Sequence, residues 1–367
     1  MKSLLVVEAA SHPKVLENQF FLFHSIYNMT FMTIPDKYSS YESMMPNILK
    51  HGKIKYSIHS TSLFIQLLFV AYKYDYIHIS TGPEHQHFSN LWTRPFYFLC
   101  TFFYGQKTIL TIKNSRAYLY KKSFLPDLLH KSLKHVNLIM FETATLKNFF
   151  VRSYSGELKT AVIYDRYTNL LSQDLLEKKV HAPPPYRIGL LGALDSGRRD
   201  YQTVLEALEG ISKETLSSLE IILLGECEGG KDNPLLQTFQ KLVKVDYPQR
   251  YLSSDEFDHK GSSCHLLISP LLESMEYGTF KGSGAIGDAI YLRKNIIMPS
   301  FVDPEKEFDQ IAYYYSDRGS LFEILNSVNK FVNRNISDDF ISEYDTSNIA
   351  QNVISQLQSD SSKIFND

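Results

Sequence analysis

The sequence predicts an α/β chain built as two Rossmann-like, doubly wound domains in series. Three observations lead there. Short apolar, β-rich runs alternate with longer helical stretches, the alternation restarts after a run of prolines, and the charge balance changes sign between the halves. At 367 residues the chain also exceeds what one ordinary core requires, so two domains are expected.

In the first half the expected strands are Leu4–Val7, Tyr76–Ser80, Thr108–Ile112, Leu138–Phe141 and Ala161–Tyr164. Each is nearly all apolar or β-branched, as parallel strands covered on both faces should be. Pro46–His51, Ser62–Tyr72, Leu91–Tyr104 and Leu125–His135 read as helical crossovers between them. The run Lys178–Pro185 ends in three prolines, which cannot continue a helix and make an extended connector. A second alternation follows, with strand Arg187–Leu191 and helix Tyr201–Glu209. Strands Leu219–Leu224, Lys241–Val245, His265–Ser269 and Asn295–Met298 come next. The expected division is an N-terminal domain over 1–177, a linker over 178–186 and a C-terminal domain over 187–340. Residues 341–367 would form a helix returning to the first domain, then a frayed tail.

Composition narrows the setting. Residues 1–170 hold 19 Lys+Arg against 10 Asp+Glu, a net +9, and the remainder carries −11. Such a basic half should favour an anionic surface or ligand; alternatively, opposite charge helps the halves attract each other. Cys100, Cys227 and Cys264 are odd in number and far apart, which favours a reducing cytoplasm over a disulfide framework. The start, MKSLLVVEAASHP, reads as a first buried strand and lacks the long apolar core of a signal peptide. The apolar stretch Leu63–Tyr72 is too short to span a bilayer as a helix.

Open α/β sheets bind ligands at the carboxyl ends of their strands, where helix N-termini aim N–H groups at anions. Two junctions in the second half carry suitable residues. In Ile188–Asp200 a buried strand runs into Gly192, and Gly197, Arg198 and Arg199 precede the next helix. A guanidinium there opposes the helix dipole unless an anion is present, so at least one arginine is expected to hold phosphate. In Ser269–Pro299 a strand is followed by Glu273, Glu276 and Lys281, then by Gly282, Ser283, Gly284 and Ala285 opening a helix. Small residues let a diphosphate approach the free N–H groups, with Lys281 beside it and Asp288 placed for ribose hydroxyls. Pro248–Phe257 reads as a turn and a short helix capped by Ser253 or Ser254, with Glu256 nearby. Its Tyr251 and Leu252 either stack on a base or pack under the loop. No paired-carboxylate metal motif stands at a strand end, and Asp338–Asp339 reads as a helix start.

These junctions resemble the C-terminal donor domain of GT-B glycosyltransferases, particularly glycosyltransferase family 4 and its capsule and cell-wall polysaccharide relatives. Gly192, Leu194 and Arg198 match the family's opening pattern, with Ala193 where the family has arginine and Arg198 in place of its lysine. Leu219–Gly230 matches the next strand with its terminal glycine. Asp288-Ala289-Ile290, followed by Arg293–Pro299, matches the second acidic position of the donor motif, and Glu276 lies farther upstream than the family spacing. The resemblance implies two such domains facing across a cleft, with a UDP- or GDP-linked sugar as co-substrate. It implies a diphosphate between Arg198, Lys281 and the Ser283–Ala285 backbone, Glu276 toward the sugar and Asp288 on the ribose. Cations and the helix dipole would stabilise the leaving group without a metal.

The N-terminal domain would then bind a glycan or lipid-linked acceptor. Glu8, His12, Glu84, His85, His87 and Glu142 follow expected strands, and any is a candidate base if the reaction inverts. The aromatic stretch Leu91–Tyr104 and the basic-aromatic stretch Lys113–Lys134 suit either an anionic membrane face or a packed core. No nucleic-acid-reading module accompanies them. The expectation is a cytoplasmic glycosyltransferase of bacterial surface polysaccharide synthesis, peripheral on the inner face of the membrane. Two alternatives stand beside it. One is a non-catalytic GT-B partner subunit, motivated by Ala193 and the displaced Glu276; the other is a GT-B-like sugar-nucleotide epimerase.

Overall fold

The computed structural model describes residues 1–9, 13–34, 46–51, 53–83, 92–120, 124–177, 184–332 and 334–359. They form two compact units. The first comprises the described residues of Met1–Asp165 and Phe280–Gly282 and the C-terminal segment from Thr346; the second comprises Arg166–Thr279 and Ser283–Asp345. The units divide at Asp165, ahead of the proline run, and the short helix Gln173–Glu177 packs on helix Ser254–Ser262 of the second unit.

The first unit is a parallel sheet of seven strands: β1 (Lys2–Glu8), β2 (Tyr27–Thr33), β3 (Lys53–Tyr56), β4 (Tyr76–Thr81), β5 (Thr108–Thr111), β6 (Leu138–Phe141) and β7 (Thr160–Val162). Their order is β3-β2-β1-β4-β5-β6-β7, so the winding reverses between β1 and β4. Helices Pro13–Phe23 (α1), Ser60–Val70 (α2), Thr93–Tyr104 (α3), Phe124–Ser132 (α4) and Ala144–Ser153 (α5) carry the chain between strands. One face of the sheet packs Leu5, Val7, Ile77 and Ile79 against Leu63, Phe64 and Leu67 of α2 and Tyr97 of α3. The C-terminal helix Thr346–Gln358 packs against α1 and β7.

The second unit repeats the plan with six parallel strands: β8 (Tyr186–Leu190), β9 (Leu219–Leu223), β10 (Lys244–Asp246), β11 (Leu266–Ile268), β12 (Ile296–Pro299) and β13 (Ala312–Tyr315). The order β10-β9-β8-β11-β12-β13 places the reversal between β8 and β11. Helices Tyr201–Glu209 (α6), Pro234–Leu242 (α7), Ser254–Ser262 (α8), Gly284–Tyr291 (α9) and Arg318–Asn326 (α10) cover it. Val204, Leu208, Leu236 and Phe239 close over Ile188, Leu190 and Ile221.

Three strands escape the apolar-run criterion: β2 carries Asn28 and Thr30, β3 reads Lys-Ile-Lys-Tyr, and β13 is mostly tyrosine. The run Lys241–Val245 is corrected. Its first two residues finish α7, whose apolar positions Leu236 and Phe239 hold it in the core, and the strand begins at Lys244. The aromatic and basic-aromatic stretches are also divided by packing. Tyr97 and Tyr118 are fully buried, and Trp92, Phe102, Phe103 and Tyr120 stand exposed.

Inside the first sheet His78 is fully buried on β4, with Nε2 2.8 Å from Thr111 Oγ1 and its ring edge-on to Phe23. Burial pushes its pKa down to about 3, against a smaller opposing pull from Glu8. The unfolded chain therefore takes up a proton below pH ~6.5 that the folded chain refuses, so stability falls as pH falls. His78→Gln should flatten this slope between pH ~6.5 and pH ~4. The difference from wild type should change by up to about 1.4 kcal/mol per pH unit, read from denaturant midpoints.

Candidate functional site

In an open sheet the reversal in strand order leaves a crevice at the carboxyl ends of the two central strands. In the second unit those ends are Leu190–Gly192 and Ile268–Leu271. Gly192 adopts φ +88°, and a Cβ there would lie 1.8 Å from Arg199 Nη2. Arg199 Nε donates to the carbonyl of Leu191 at 3.0 Å. The loop after β9 presses in from the other side, since a Cβ on Gly225 would come within 2.2 Å of the Gly192 carbonyl. Arg199 also forms a bridge with Leu271, and the N–H of Asp200 donates to the carbonyl of Pro270 at 2.7 Å. Arg199 is thus a brace across the crevice. Asp200 caps α6 by accepting from the N–H of Thr203.

Arg198 is free of that duty. Its side chain is exposed, reaches the hydroxyl of buried Tyr277 at 3.5 Å, and has no carboxylate partner among the described residues. Ala193 is exposed, and its carbonyl accepts from the Tyr201 hydroxyl at 2.5 Å. The second junction begins with a short helical turn, Glu273–Met275, closed by Glu276 in the left-handed region at φ 62°. Such a conformation strains a non-glycine residue. Gly278 is obligatory for a different reason: a Cβ would meet the carbonyl of Phe301 at 2.2 Å. Lys281 and Gly282 belong to the first unit, where Lys281 forms an antiparallel bridge with Asn114. Ser283 caps α9 and takes the N–H of Ala285 on its hydroxyl; Gly284 is exposed and Ala285 to Gly287 are buried. The amino end of α9 therefore meets solvent through its smallest residue.

Asp288, in the second turn of α9, faces a residue that the sequence pattern does not single out. Arg166 Nε lies 3.3 Å from Asp288 Oδ1, and Nη1 lies 3.6 Å from Asp258 Oδ1. Its guanidinium is sandwiched between Phe257 at 4.9 Å and Tyr291 at 4.3 Å. The Tyr291 hydroxyl donates to Asp258 at 2.6 Å, and burial with this bond raises its pKa. Two acids and two rings thus hold one arginine, and Asp288 is oriented by it. Tyr251 feels the same field: partial burial and then the negative charge of Asp288 raise its pKa. Its neighbour Leu252 is only 7% exposed, whereas Tyr251 is 54% exposed. Ser253 caps α8 in a capping box with Glu256.

In the first unit, Glu8 ends β1 at the strand-order reversal. It is fully buried and accepts from Ser80 at 2.6 Å and Thr81 at 2.8 Å. Glu142 follows β6. Lys113 donates to both Glu142 and Asp165, the latter at 2.9 Å. Burial, then the charge of Asp165, raises the Glu142 pKa against the pull of Lys113. Gly282 backs onto this cluster, its absent Cβ falling 2.4 Å from Glu142 Oε2. Lys113 is therefore spent on internal pairing. His12, Glu84, His85 and His87 lie outside the described residues. Among the described residues no three His, Cys, Asp or Glu side chains gather as metal ligands.

No family model matches the sequence, and no curated protein sequence matches it significantly. Solved structures do. Anabaena HepE, in complex with UDP and glucose, matches with a TM-score of 0.67 at 14% identity, over 98% of this chain and 100% of its own. The chain has the GT-B fold. The UDP-forming α,α-trehalose-phosphate synthase of Burkholderia vietnamiensis matches at 0.61 and 10% identity, over 99% of this chain and 100% of its own. UDP-GlcNAc 2-epimerase from Neisseria meningitidis, bound to UDP-GlcNAc, shares the fold at 0.58 and 14% identity, over 98% and 100%.

The glycine contact at the heart of this GT-B junction is testable. Gly225→Ala places a methyl against backbone that cannot yield, and should cost about 1–3 kcal/mol of stability by calorimetry.

Proposed function

We propose that this chain is a glycosyltransferase that takes a sugar from a UDP- or GDP-linked donor bound by the second unit. The observation that carries the reading is a pair of features on one parallel sheet: the amino end of α9, where Gly284 is exposed behind the Ser283 cap, and Arg198 without a carboxylate partner among the described residues. Backbone N–H groups and a forked cation together suit a diphosphate. Asp288, oriented by Arg166, is offered to the ribose hydroxyls, and Tyr251 offers a ring face to the base. Lys281, next to the Gly282-Ser283 turn in sequence, supplies a second positive charge to the leaving group, and Glu276 faces the sugar. With cations and a helix terminus meeting the developing charge, transfer would run without a divalent ion.

The acceptor is proposed to be a glycan or lipid-linked molecule of bacterial surface polysaccharide synthesis, engaged by the first unit. Glu8 and Glu142 are the base candidates among the described residues. Exposed Trp92, Phe102 and Phe103 suit a peripheral position on the inner face of a membrane.

Purified protein incubated with nucleotide sugars should release nucleoside diphosphate slowly, and faster with acceptor. Arg198→Ala and Lys281→Ala should each lower kcat/KM for the donor by roughly ten- to a hundredfold. EDTA should leave the rate unchanged. The epimerase of the same fold motivates a second outcome: an epimerised nucleotide sugar as product would replace transfer with epimerisation. A chain that binds no nucleotide sugar in a thermal-shift screen would instead be a partner subunit.

A further inference from the structure

Parallel strands are normally covered on both faces and correspondingly apolar. The first sheet departs from this at one corner. On the face where Leu5, Val7 and Met32 pack beneath α2, the amino-terminal halves of the same strands turn polar. Ser3 on β1 pairs in register with Asn28 on β2, and Thr30 pairs with Lys53 on β3. Two residues on, Lys55 points to the same side as Lys53.

These side chains floor a hollow of about 310 Å³, and Lys73 and Tyr74, from the turn after α2, close its rim. Lys53, Lys55 and Lys73 are all exposed. Their recorded contacts are with aromatic groups: Lys55 Nζ lies 3.5 Å from the Tyr74 hydroxyl, and Lys73 Nζ lies 5.5 Å from the Tyr72 ring centre. Among the described residues no carboxylate lines the hollow. Asp75, next in sequence to Tyr74, accepts from the N–H and hydroxyl of Ser3 at 2.7 Å each. Lysines on an edge strand also deter pairing with other chains. That duty explains Lys53 and Lys55, but it does not call for Lys73 or for polar residues on the two inner strands.

We propose that this hollow binds a phosphate group, delivered either as a free phosphate or diphosphate or as the headgroup of a phospholipid. Three ammonium groups would share the charge, and Asn28, Thr30 and Tyr74 would supply directional bonds. The exposed rings of Phe69 and Tyr72 beside the rim fit the lipid source. The site is separate from the donor-binding features, all of which lie on other residues.

The test titrates full-length protein with pyrophosphate at low ionic strength, where exposed charge is least screened. Lys53→Gln/Lys55→Gln and Lys73→Gln should each weaken binding roughly tenfold. Arg198→Ala should lose at most a separate donor-site phase of binding, Lys131→Gln/Lys134→Gln should retain both, and donor turnover should be unchanged in the hollow's variants. If pyrophosphate does not bind, sedimentation with phosphatidic acid/phosphatidylcholine vesicles decides. Loss of sedimentation confined to the hollow's variants supports the headgroup. The proposal is overturned if the hollow's variants behave as wild type with both probes, or if the Lys131/Lys134 variant loses as much.

Discussion

Parallel pairing governs everything else in this molecule. A parallel strand cannot be joined to its neighbour by a hairpin, so every connection crosses a face of the sheet and re-enters from the amino edge. Helix N-termini and the loops before them consequently collect at the carboxyl edge. In the second unit this brings together Gly192, Gly225, Arg198 and the Pro270–Leu271 turn, residues as much as 79 positions apart. The close backbone approach of Gly192 and Gly225 follows from the same geometry, because adjacent parallel strands end side by side. Chemistry at that edge needs no special scaffold beyond the winding itself.

Cations in the two units fall into those consumed by structure and those left available. Lys113 is enclosed by Glu142 and Asp165, Arg199 by the Leu191 carbonyl and the Gly192 backbone, and Arg166 by two acids and two rings. Removing one partner from such a buried set strands the remaining charge, which costs far more than an exposed pair is worth. Arg198 and the three lysines of the β1–β3 hollow carry no such obligation.

The strands that the sequence makes plain are those buried on both faces, such as Leu138–Phe141 and Leu219–Leu223. Hydrophobic burial alone selects them. Strand β2 escapes because Asn28, Thr30 and Thr33 interrupt its apolar run although only Asn28 is exposed, and the largely exposed Lys-Ile-Lys-Tyr of β3 imitates a loop. At the candidate site, the helix start at Ser283 and the exposure of Arg198 follow from local pattern, since caps and small residues act within a few positions. The division of labour between Arg198 and Arg199 does not, because it depends on which guanidinium meets Gly192. Arg166 escapes for the same reason: its partners Asp258 and Asp288 lie about a hundred residues away.

The Arg166 cluster also explains how an acid can stay fixed on a helix whose neighbours are buried. A lone carboxylate in the second turn of α9 would be free to rotate toward water. Bonded to a guanidinium held between Phe257 and Tyr291, Asp288 gives up that freedom before any ligand arrives. The entropy of ordering it is lost in folding, so a hydroxyl that meets it later binds a group already in place. The rings keep water from the guanidinium, and with fewer competing donors the pair holds one orientation. A polar contact of this kind gains its directionality from side chains that never touch the ligand.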